Sequence, residues 1–280
     1  MRIRWSKYQA LGNDFLVIEA SRSRMSRARL GRLARAICDR RYGVGADGIV
    51  YLSGSRAADR KFDIFNADGG WAEKSGNGLR IAGVHLATHG SRRRNFMFET
   101  AGSIDRVRLT RKIPGGYITN AELGTPEFRT KLIPVRTRSK YLINSPLKIG
   151  GVELPVTCVA VGNPHTVLVV DDLDFDWQQL GAEIEVARTF PNDTNVEFVK
   201  PVSRKKIRVV SWERGAGATG SSGTGAAASV AALVMLGIVD RTCEVVFEAG
   251  SLTINWDGEA DIIDVTGPVI FVAEGTFPFV

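Results

Sequence analysis

Two short stretches of the sequence combine a serine with glycines where a strand-like run leads into a helix-like one. They are Ser75-Gly76-Asn77-Gly78 and Ser222-Gly223-Thr224-Gly225. Alternating runs at 61–65 and 207–212 precede them, and the run that follows the second, 226–236, is apolar on every side. The first turn of a helix leaves backbone N–H groups unpaired and partly positive. Each loop is therefore predicted to receive an anion such as a carboxylate or phosphate.

Two equivalent groups on opposite faces of one ligand are what inversion at a carbon centre requires. One group removes a proton from one face while the other delivers a proton from behind, and such groups must change protonation near neutral pH. A cysteine thiol has a pKa of about 8.5, whereas we take a serine hydroxyl as ~13 or more. A helix N-terminus contributes at most about 2 kcal/mol towards this gap. Bare serines are therefore predicted to exchange protons slowly.

The two loops belong to an internal repeat. Residues 11–18 reappear at 161–168, and residues 98–102 reappear at 247–250, in the same order and at offsets close to 150 residues. Repeats of this kind decide architecture. We predict an N-terminal half at 1–125 and a C-terminal half at 126–267, with 268–280 packing back on the N-terminal half.

Strand-like runs dominate each half. They surround residues 11–14 and then fall at 49–52, 95–99, 104–109 and 117–123. Residues 26–37 have the pattern of an amphipathic helix. The chain ends in two predicted short strands, 269–272 and 276–280. This pattern predicts an α+β fold of two pseudo-symmetric halves, each a curved, mostly antiparallel sheet around a central helix. In a duplicated protein we expect the ligand between the halves.

Composition limits the class of protein. The 280 residues are 44% hydrophobic and 24% charged, which is typical of a globular chain. No apolar run reaches the ~20 residues of a membrane span, and no signal-peptide core follows Met1. Three scattered cysteines, Cys38, Cys158 and Cys243, form neither a disulfide framework nor a metal motif. We expect a cytoplasmic protein.

The net charge of +7 and the pI near 9.5 could suggest a nucleic-acid partner. The densest clusters, Arg92-Arg93-Arg94 and Arg204-Lys205-Lys206, are short and lack interleaved aromatic residues, so they are interpreted as solvated loops. We expect neither nucleic acid nor a membrane as a partner. No cofactor and no metal are implied either. The one dinucleotide-like string, Gly215-x-Gly217-x-x-Gly220, lies too far before its helix and outside a doubly wound pattern.

Seven strings taken in order make the sequence resemble the diaminopimelate epimerase family: GNDF, RRYGVGADG, NADG, SGNG-x-R, VGNPH, TNVEFV and ERGAG-x-T-x-x-SG-x-G. The resemblance covers nearly the whole chain. It implies a cofactor-independent isomerase of lysine and peptidoglycan precursor synthesis, with a small amino acid as substrate. In that family a thiolate and a thiol epimerise the α-carbon. Matched by motif, they fall on Ser75 and Ser222, which is the main departure of this sequence.

The resemblance also assigns the other site residues. Its substrate-contacting asparagines match Asn13, Asn66, Asn163 and Asn195, its glutamate–arginine pair matches Glu213-Arg214, and its backbone donors match Gly76, Asn77, Gly223 and Thr224. The histidine after Asn-Pro matches His165, which joins Glu213 as a candidate base. Some family members carry a glutamine at the position of Gly48. Many carry an acidic residue in the second loop at the position of Ala218. Both of these differences concern substrate selectivity.

Several alternatives stay open on the sequence alone. Glu213-Arg214 could be a surface ion pair, and the asparagines could serve only as turn residues. His85 and His89 are interpreted as structural. The whole chain could instead catalyse a changed reaction, act as an amino-acid-binding pseudoenzyme, or be an engineered serine variant of a cysteine enzyme. A homodimer also stays open.

Overall fold

The computed structural model describes residues 2–20, 25–149 and 151–279. The chain divides into two compact units. The first unit is Met1–Glu122 together with Thr266–Val280, and the second unit is Leu123–Val265.

The first unit is built from strands and two helices. In chain order they are β1 (Arg2–Ala10), β2 (Asn13–Glu19), α1 (Arg27–Cys38), β3 (Gly48–Ser53), β4 (Arg60–Asn66), β5 (Trp71–Ala72), α2 (Gly76–Thr88), β6 (Asn95–Glu99), β7 (Ile104–Ile113) and β8 (Gly116–Gly124). Helix α1 begins after Ser26, whose side chain accepts a hydrogen bond from the Arg29 backbone N–H. Its apolar face, with Leu30, Leu33 and Ile37, is buried.

The second unit repeats this order. Its elements are β9 (Ser145–Ile149), β10 (Val152–Ala160), β11 (Pro164–Val169), α3 (Trp177–Glu185), β12 (Asn195–Ser203), β13 (Lys206–Glu213), β14 (Gly217–Thr219), α4 (Gly223–Met235), β15 (Thr242–Phe247), β16 (Gly250–Trp256) and β17 (Ile263–Pro278). Strand β8 runs into this unit at its end, and β17 leaves it for the first unit.

The pairing of the strands shows the duplication directly. In the first unit β2 runs parallel to β3 and β4 runs parallel to β6, while β3–β4 and β6–β7 are antiparallel. In the second unit the parallel pairs are β11–β12 and β13–β15, while β12–β13 and β15–β16 are antiparallel. The remaining described pairs, including β1–β2, β1–β17, β7–β8 and β10–β11, are antiparallel, so antiparallel pairs dominate and the parallel ones occur at equivalent places. The α+β fold class predicted from the sequence is confirmed.

A buried helix lies at the centre of each unit. Helix α2 packs against β1, β2, β3, β6 and β7, and α4 packs against β10–β13, β15 and β16. Small residues allow this close approach: a Cβ added to Gly83 of α2 would lie 2.6 Å from Val107 Cγ1. All residues of α4 from Gly223 to Leu233 are buried, as its continuous apolar run predicts.

Two features of the fold differ from the sequence prediction. The C-terminal segment is one strand, β17, rather than two short strands, and it pairs with β1 over eight positions. Gly275 does not interrupt it, because Gly275 lies opposite Trp5 in the register and its missing side chain makes room for the indole. Helix α3 was not predicted, since its amphipathic run spans only nine residues.

Surface features agree with the composition. Arg92–Arg94 and Arg204–Lys205 are exposed, whereas Lys206 is half-buried. The three cysteines are free and buried. Among the described residues, none of the helices combines the length and the hydropathy needed to cross a bilayer.

Candidate active site

The first half-site forms around the N-terminus of α2. Ser75 caps this helix with an extended backbone, and its Oγ accepts a hydrogen bond from Gly78 N at 3.1 Å. Gly76 and Asn77 open the helix, so their backbone N–H groups belong to its unpaired first turn. Ser75 is half-buried, whereas Asn77 is 2% exposed. The loop therefore presents one hydroxyl and a set of backbone donors.

A chain of hydrogen bonds fixes the amides of this half-site. The guanidinium of Arg80 donates to Asn77 Oδ1, Asn77 Nδ2 donates to Asn13 Oδ1 at 3.0 Å, and Asn13 Nδ2 donates to Asp47 Oδ2 at 2.8 Å. A guanidinium only donates and a carboxylate only accepts, so both amides have one orientation. Asn66, the last residue of β4, uses its backbone to close the turn to Gly70.

Arg80 is the largest fully buried side chain of the protein's described residues. Burial lowers the pKa of its guanidinium to about 10. Besides Asn77, it donates to the Pro268 carbonyl at 3.2 Å, and its Nε has no partner among the described residues. It therefore remains a cation at neutral pH and holds the side-chain amide of Asn77 through a hydrogen bond.

The second half-site forms around the N-terminus of α4. Ser222 caps this helix with the same extended backbone, and its Oγ accepts from Gly225 N at 3.1 Å. The hydroxyl also donates to Glu213 Oε2 at 3.2 Å. The other carboxylate oxygen, Oε1, accepts from Thr219 Oγ1 at 2.6 Å. Gly223 and Thr224 open the helix and are buried. This loop therefore brings a serine and a carboxylate together.

The pKa of the Glu213 carboxyl is shifted. Desolvation by burial is the largest cause and raises the pKa of its carboxyl above the usual value. The hydrogen bond from Thr219 opposes the shift, and the nearby charge of Glu197 adds to it. A glutamate with a raised pKa is suited to exchange protons closer to neutral pH than an exposed one.

His165 and Asn163 lie in the same unit. His165 Nδ1 is 2.7 Å from Glu197 Oε1, and its Nε2 is 2.9 Å from Asn163 Oδ1. The histidine side chain is 0% exposed. Both ring nitrogens of His165 therefore have hydrogen-bond partners inside the protein. Its role as a candidate base stays a prediction.

Asn195 and Arg214 brace the loop after β13. Asn195 Nδ2 donates to the Pro164 carbonyl at 2.7 Å, and its Oδ1 accepts from Arg214 N at 3.0 Å. The Arg214 guanidinium donates to the Asn192 carbonyl at 3.1 Å. The Glu213 carboxylate instead bonds Thr219 and Ser222, so this residue belongs to the loop network rather than to an exposed surface pair.

Two positions linked to selectivity have clear surroundings. Gly48 lies where a Cβ would be 2.4 Å from the Phe65 carbonyl oxygen and 2.9 Å from Phe15 Cε1. A glutamine here would require the strand to shift, so glycine is dictated by packing. Ala218 is exposed on β14 and has room for a larger side chain.

Sequence reasoning missed four residues of these networks: Asp47, Arg80, Glu197 and Thr219. Glu197 offered a signal, since it is a lone acidic residue in the apolar run Val196-Glu197-Phe198-Val199 of a buried strand. Arg80 lay within a family string but had no assigned role. Hydrogen-bond partners at separations of tens of residues could not be read from spacing.

His85 and His89 form a separate cluster at the end of α2. Their rings stack at 4.2 Å, and Tyr8 OH lies 3.3 Å from His85 Nδ1. Desolvation lowers the pKa of His85. Within the described ranges, the His, Cys, Asp and Glu side chains form no group of three or more that could hold a metal ion.

Comparison with known proteins decides the family. The family model described as diaminopimelate epimerase matches residues 5–115 and 157–272. The chain belongs to the diaminopimelate epimerase family. A diaminopimelate epimerase from Carboxydothermus hydrogenoformans is 38% identical over 275 residues, 97% of this chain and 98% of the relative. One from Rippkaea orientalis is 37% identical over 286 residues, 99% of each chain.

Solved structures share the fold at low sequence identity. A probable proline racemase from Agrobacterium radiobacter has a TM-score of 0.80 at 15% identity, covering 99% of this chain and 93% of that one. A hydroxyproline epimerase from Agrobacterium vitis has a TM-score of 0.71 at 15% identity, covering 99% and 91%. The fold of this diaminopimelate epimerase family member is thus also found in proteins described as acting on proline and its derivatives.

Proposed function

We propose that this chain is an isomerase that epimerises an amino acid, converting LL- to meso-diaminopimelate for the synthesis of lysine and peptidoglycan precursors. The observation that carries the proposal is the equivalent placement of Ser75 and Ser222 as N-caps of the duplicated helices α2 and α4, in a member of this family. The names of the relatives, all epimerases, favour epimerisation over a changed reaction or a binding-only role.

The proposed chemistry uses one half-site on each face of the substrate's α-carbon. A base of one half-site removes the α-proton, and an acid of the other returns a proton from the opposite face. Backbone donors of Gly76, Asn77, Gly223 and Thr224 would receive substrate carboxylate charge. The asparagines Asn13, Asn66, Asn163 and Asn195, with Arg214, would orient the substrate directly or through the loops. No cofactor enters this scheme.

The serine pair sets the rate. Serine lies over ~4 pKa units above a cysteine, and each unit corresponds to about 1.4 kcal/mol. Of the two hydroxyls, only Ser222 donates to a carboxylate in the described residues, and that carboxylate, Glu213, has a raised pKa. We therefore propose that proton transfer is slow and that Glu213 assists Ser222. A cytoplasmic location and a small amino-acid substrate, without nucleic acid, complete the proposal.

The test is exchange of the substrate α-proton in heavy water. The protein is incubated with LL-diaminopimelate, and deuterium at the α-carbon and formation of the meso form are followed by mass spectrometry and NMR. Calorimetry with LL- and meso-diaminopimelate, glutamate and proline measures binding in parallel. Slow exchange with inversion supports the proposal. Binding of diaminopimelate without any exchange would instead favour a binding protein, and binding of none of the four would remove the substrate assignment.

A further inference from the structure

Glu185 is the last residue of helix α3 in the second unit. Its carboxylate accepts two hydrogen bonds from outside the helix. Trp212 Nε1 donates to Oε2 at 2.6 Å, and Gly215 N donates to Oε1 at 2.8 Å. A carboxylate is unfavourable at the negative end of the helix dipole, and the last turn of α3 carries no basic residue to offset it. The two donors, rather than the helix, therefore stabilise this carboxylate.

Helix α3 packs closely on the end of β13. A Cβ added to Gly181 would be 2.7 Å from Trp212 Cβ and 3.0 Å from its Cγ, so glycine at this helix position lets α3 approach the indole. Ile184 is buried in the core cluster against which Trp212 packs. This packing and the indole hydrogen bond hold the Glu185 carboxylate beside the residues that follow Trp212.

A four-residue turn, 213–216, begins at the last residue of β13. A backbone hydrogen bond of 3.0 Å between its first and last residues closes it. Its central residues are Arg214 and Gly215, and Gly215 has a φ of +72°, which glycine adopts at little cost. Arg214 N donates to Asn195 Oδ1 at 3.0 Å, and Gly215 N donates to Glu185. The peptide before Arg214 and the peptide after it are therefore each held by one side chain.

We propose that Glu185 is a positioning residue for Arg214: by holding the peptide that follows Arg214, its carboxylate sets the direction in which the guanidinium leaves the turn to meet a substrate carboxylate. The two flanking peptides define φ and ψ of Arg214. Loss of the acceptor at Gly215 would let the second peptide rotate and the guanidinium move, even with the Asn195 contact present. The inference rests on the proposed function for the identity of the ligand, but the order of the turn can be measured without ligand.

The first measurement is backbone hydrogen exchange, followed by NMR. Glu185→Met keeps the length of the side chain but removes both acceptor oxygens. The Arg214 N–H, which bonds Asn195 rather than Glu185, should then exchange roughly tenfold faster, because the turn is held on one side only. Glu185→Gln keeps one acceptor oxygen, so its exchange rate should lie between those of the parent and Glu185→Met. An unchanged rate at Arg214, or an equal acceleration of the amides in the buried strand β12, would overturn the inference.

The second measurement is a double-mutant cycle for the binding of LL-diaminopimelate. Calorimetry gives the affinity of the parent, Glu185→Met, Arg214→Met and the double variant. If Glu185 acts through Arg214, Glu185→Met should weaken binding roughly tenfold in the parent but less than about twofold once the guanidinium is gone. Equal losses in the two backgrounds would overturn the inference. If the parent does not bind diaminopimelate, the proposed function fails, whereas the exchange measurement still decides the role of Glu185.

Glu183→Met is the matched control. Glu183 is an exposed carboxylate near the same end of α3, and it accepts from Gln179 Nε2 of its own helix at 3.0 Å. The variant removes the same charge by the same substitution, so it should leave the exchange of the Arg214 N–H and the affinity for LL-diaminopimelate unchanged. If it changes both as much as Glu185→Met does, the measurements report the charge or the stability of α3 and the inference fails.

Discussion

The two half-sites share a backbone but differ in charge. Both place a serine at the N-cap of a buried helix. In each, the serine Oγ accepts a hydrogen bond from the backbone N–H three residues later. In the first half-site the serine's neighbours are amides held by the buried cation Arg80. In the second the serine donates to Glu213, and Glu197 lies close by. Both units therefore keep a serine-capped helix N-terminus, while the titratable groups beside it differ.

The difference in charge lies at the last residue of one strand in each unit. Asn66 ends β4 and Glu213 ends β13, and each strand leads through a short hairpin strand to a serine loop. The equivalent position is thus an amide in one half-site and a carboxylate in the other. Since serine alone is a weak proton carrier, the half-site with the carboxylate should transfer its proton faster than the other.

The largest expected effect comes from making both half-sites titratable. Replacing Ser75 and Ser222 together by cysteine should raise epimerisation by on the order of 10³-fold or more, because each pKa unit gained corresponds to about 1.4 kcal/mol. Either single change should do much less, since the other half-site keeps its serine. Optical inversion of diaminopimelate is measured for the parent, both singles and the double variant. A parent that matches the double variant would show that the bases lie elsewhere.

The next effect tests the asymmetry itself. In the double-cysteine background, Glu213→Gln should lower epimerisation by on the order of 10²-fold, because it removes the acceptor beside the second half-site's proton carrier. Asn66→Asp, the reciprocal change at the end of β4, should not produce a comparable loss. Glu244→Gln, at a half-buried carboxylate of the same unit that pairs with Lys206, is the control. Equal rates for Glu213→Gln and Glu244→Gln would contradict the role of Glu213.

A smaller effect concerns the cation of the first half-site. Arg80→Met leaves the buried Asn77 carbonyl and the Pro268 carbonyl without their donor, so the free energy of unfolding should fall by about 1–3 kcal/mol. Arg208→Met, an exposed arginine in β13, should change it little. Urea unfolding measures both. If Arg80→Met is as stable as the parent, the desolvation of the guanidinium offsets its hydrogen bonds.

The smallest effect is a change in the pH dependence of stability. The pKa of Glu213 is raised in the folded protein, so between the usual glutamate pKa and the folded value the folded state binds more protons than the unfolded state. Stability should therefore decline as pH rises through this window. Glu213→Gln should remove that part of the decline, with thermal unfolding compared at several pH values. Parallel curves for parent and variant would argue against a raised pKa.

Local patterns predicted much of the fold and the position of the two serine loops at helix N-termini. The apolar run 226–236 and the serine loops led directly to α4 and the half-sites, because helix burial and capping are encoded over a few residues. The charge networks were not predictable in this way. Arg80 meets a carbonyl 188 positions away, and Glu197 meets a histidine 32 positions away. Such partners depend on strand register, which spacing alone does not set.

Strand β17 also determines the order in which the chain can fold during synthesis. It starts in the second unit and supplies the partner for one side of β1, from Arg2 opposite Pro278 to Gln9 opposite Ile270. At about 5–20 residues per second, the ribosome needs roughly 13–55 s after the N-terminal segment to deliver this partner. During that time β1 has β2 on one side and an open edge on the other, which is a site for mispairing. The later-synthesised unit can therefore complete its sheet before the earlier one.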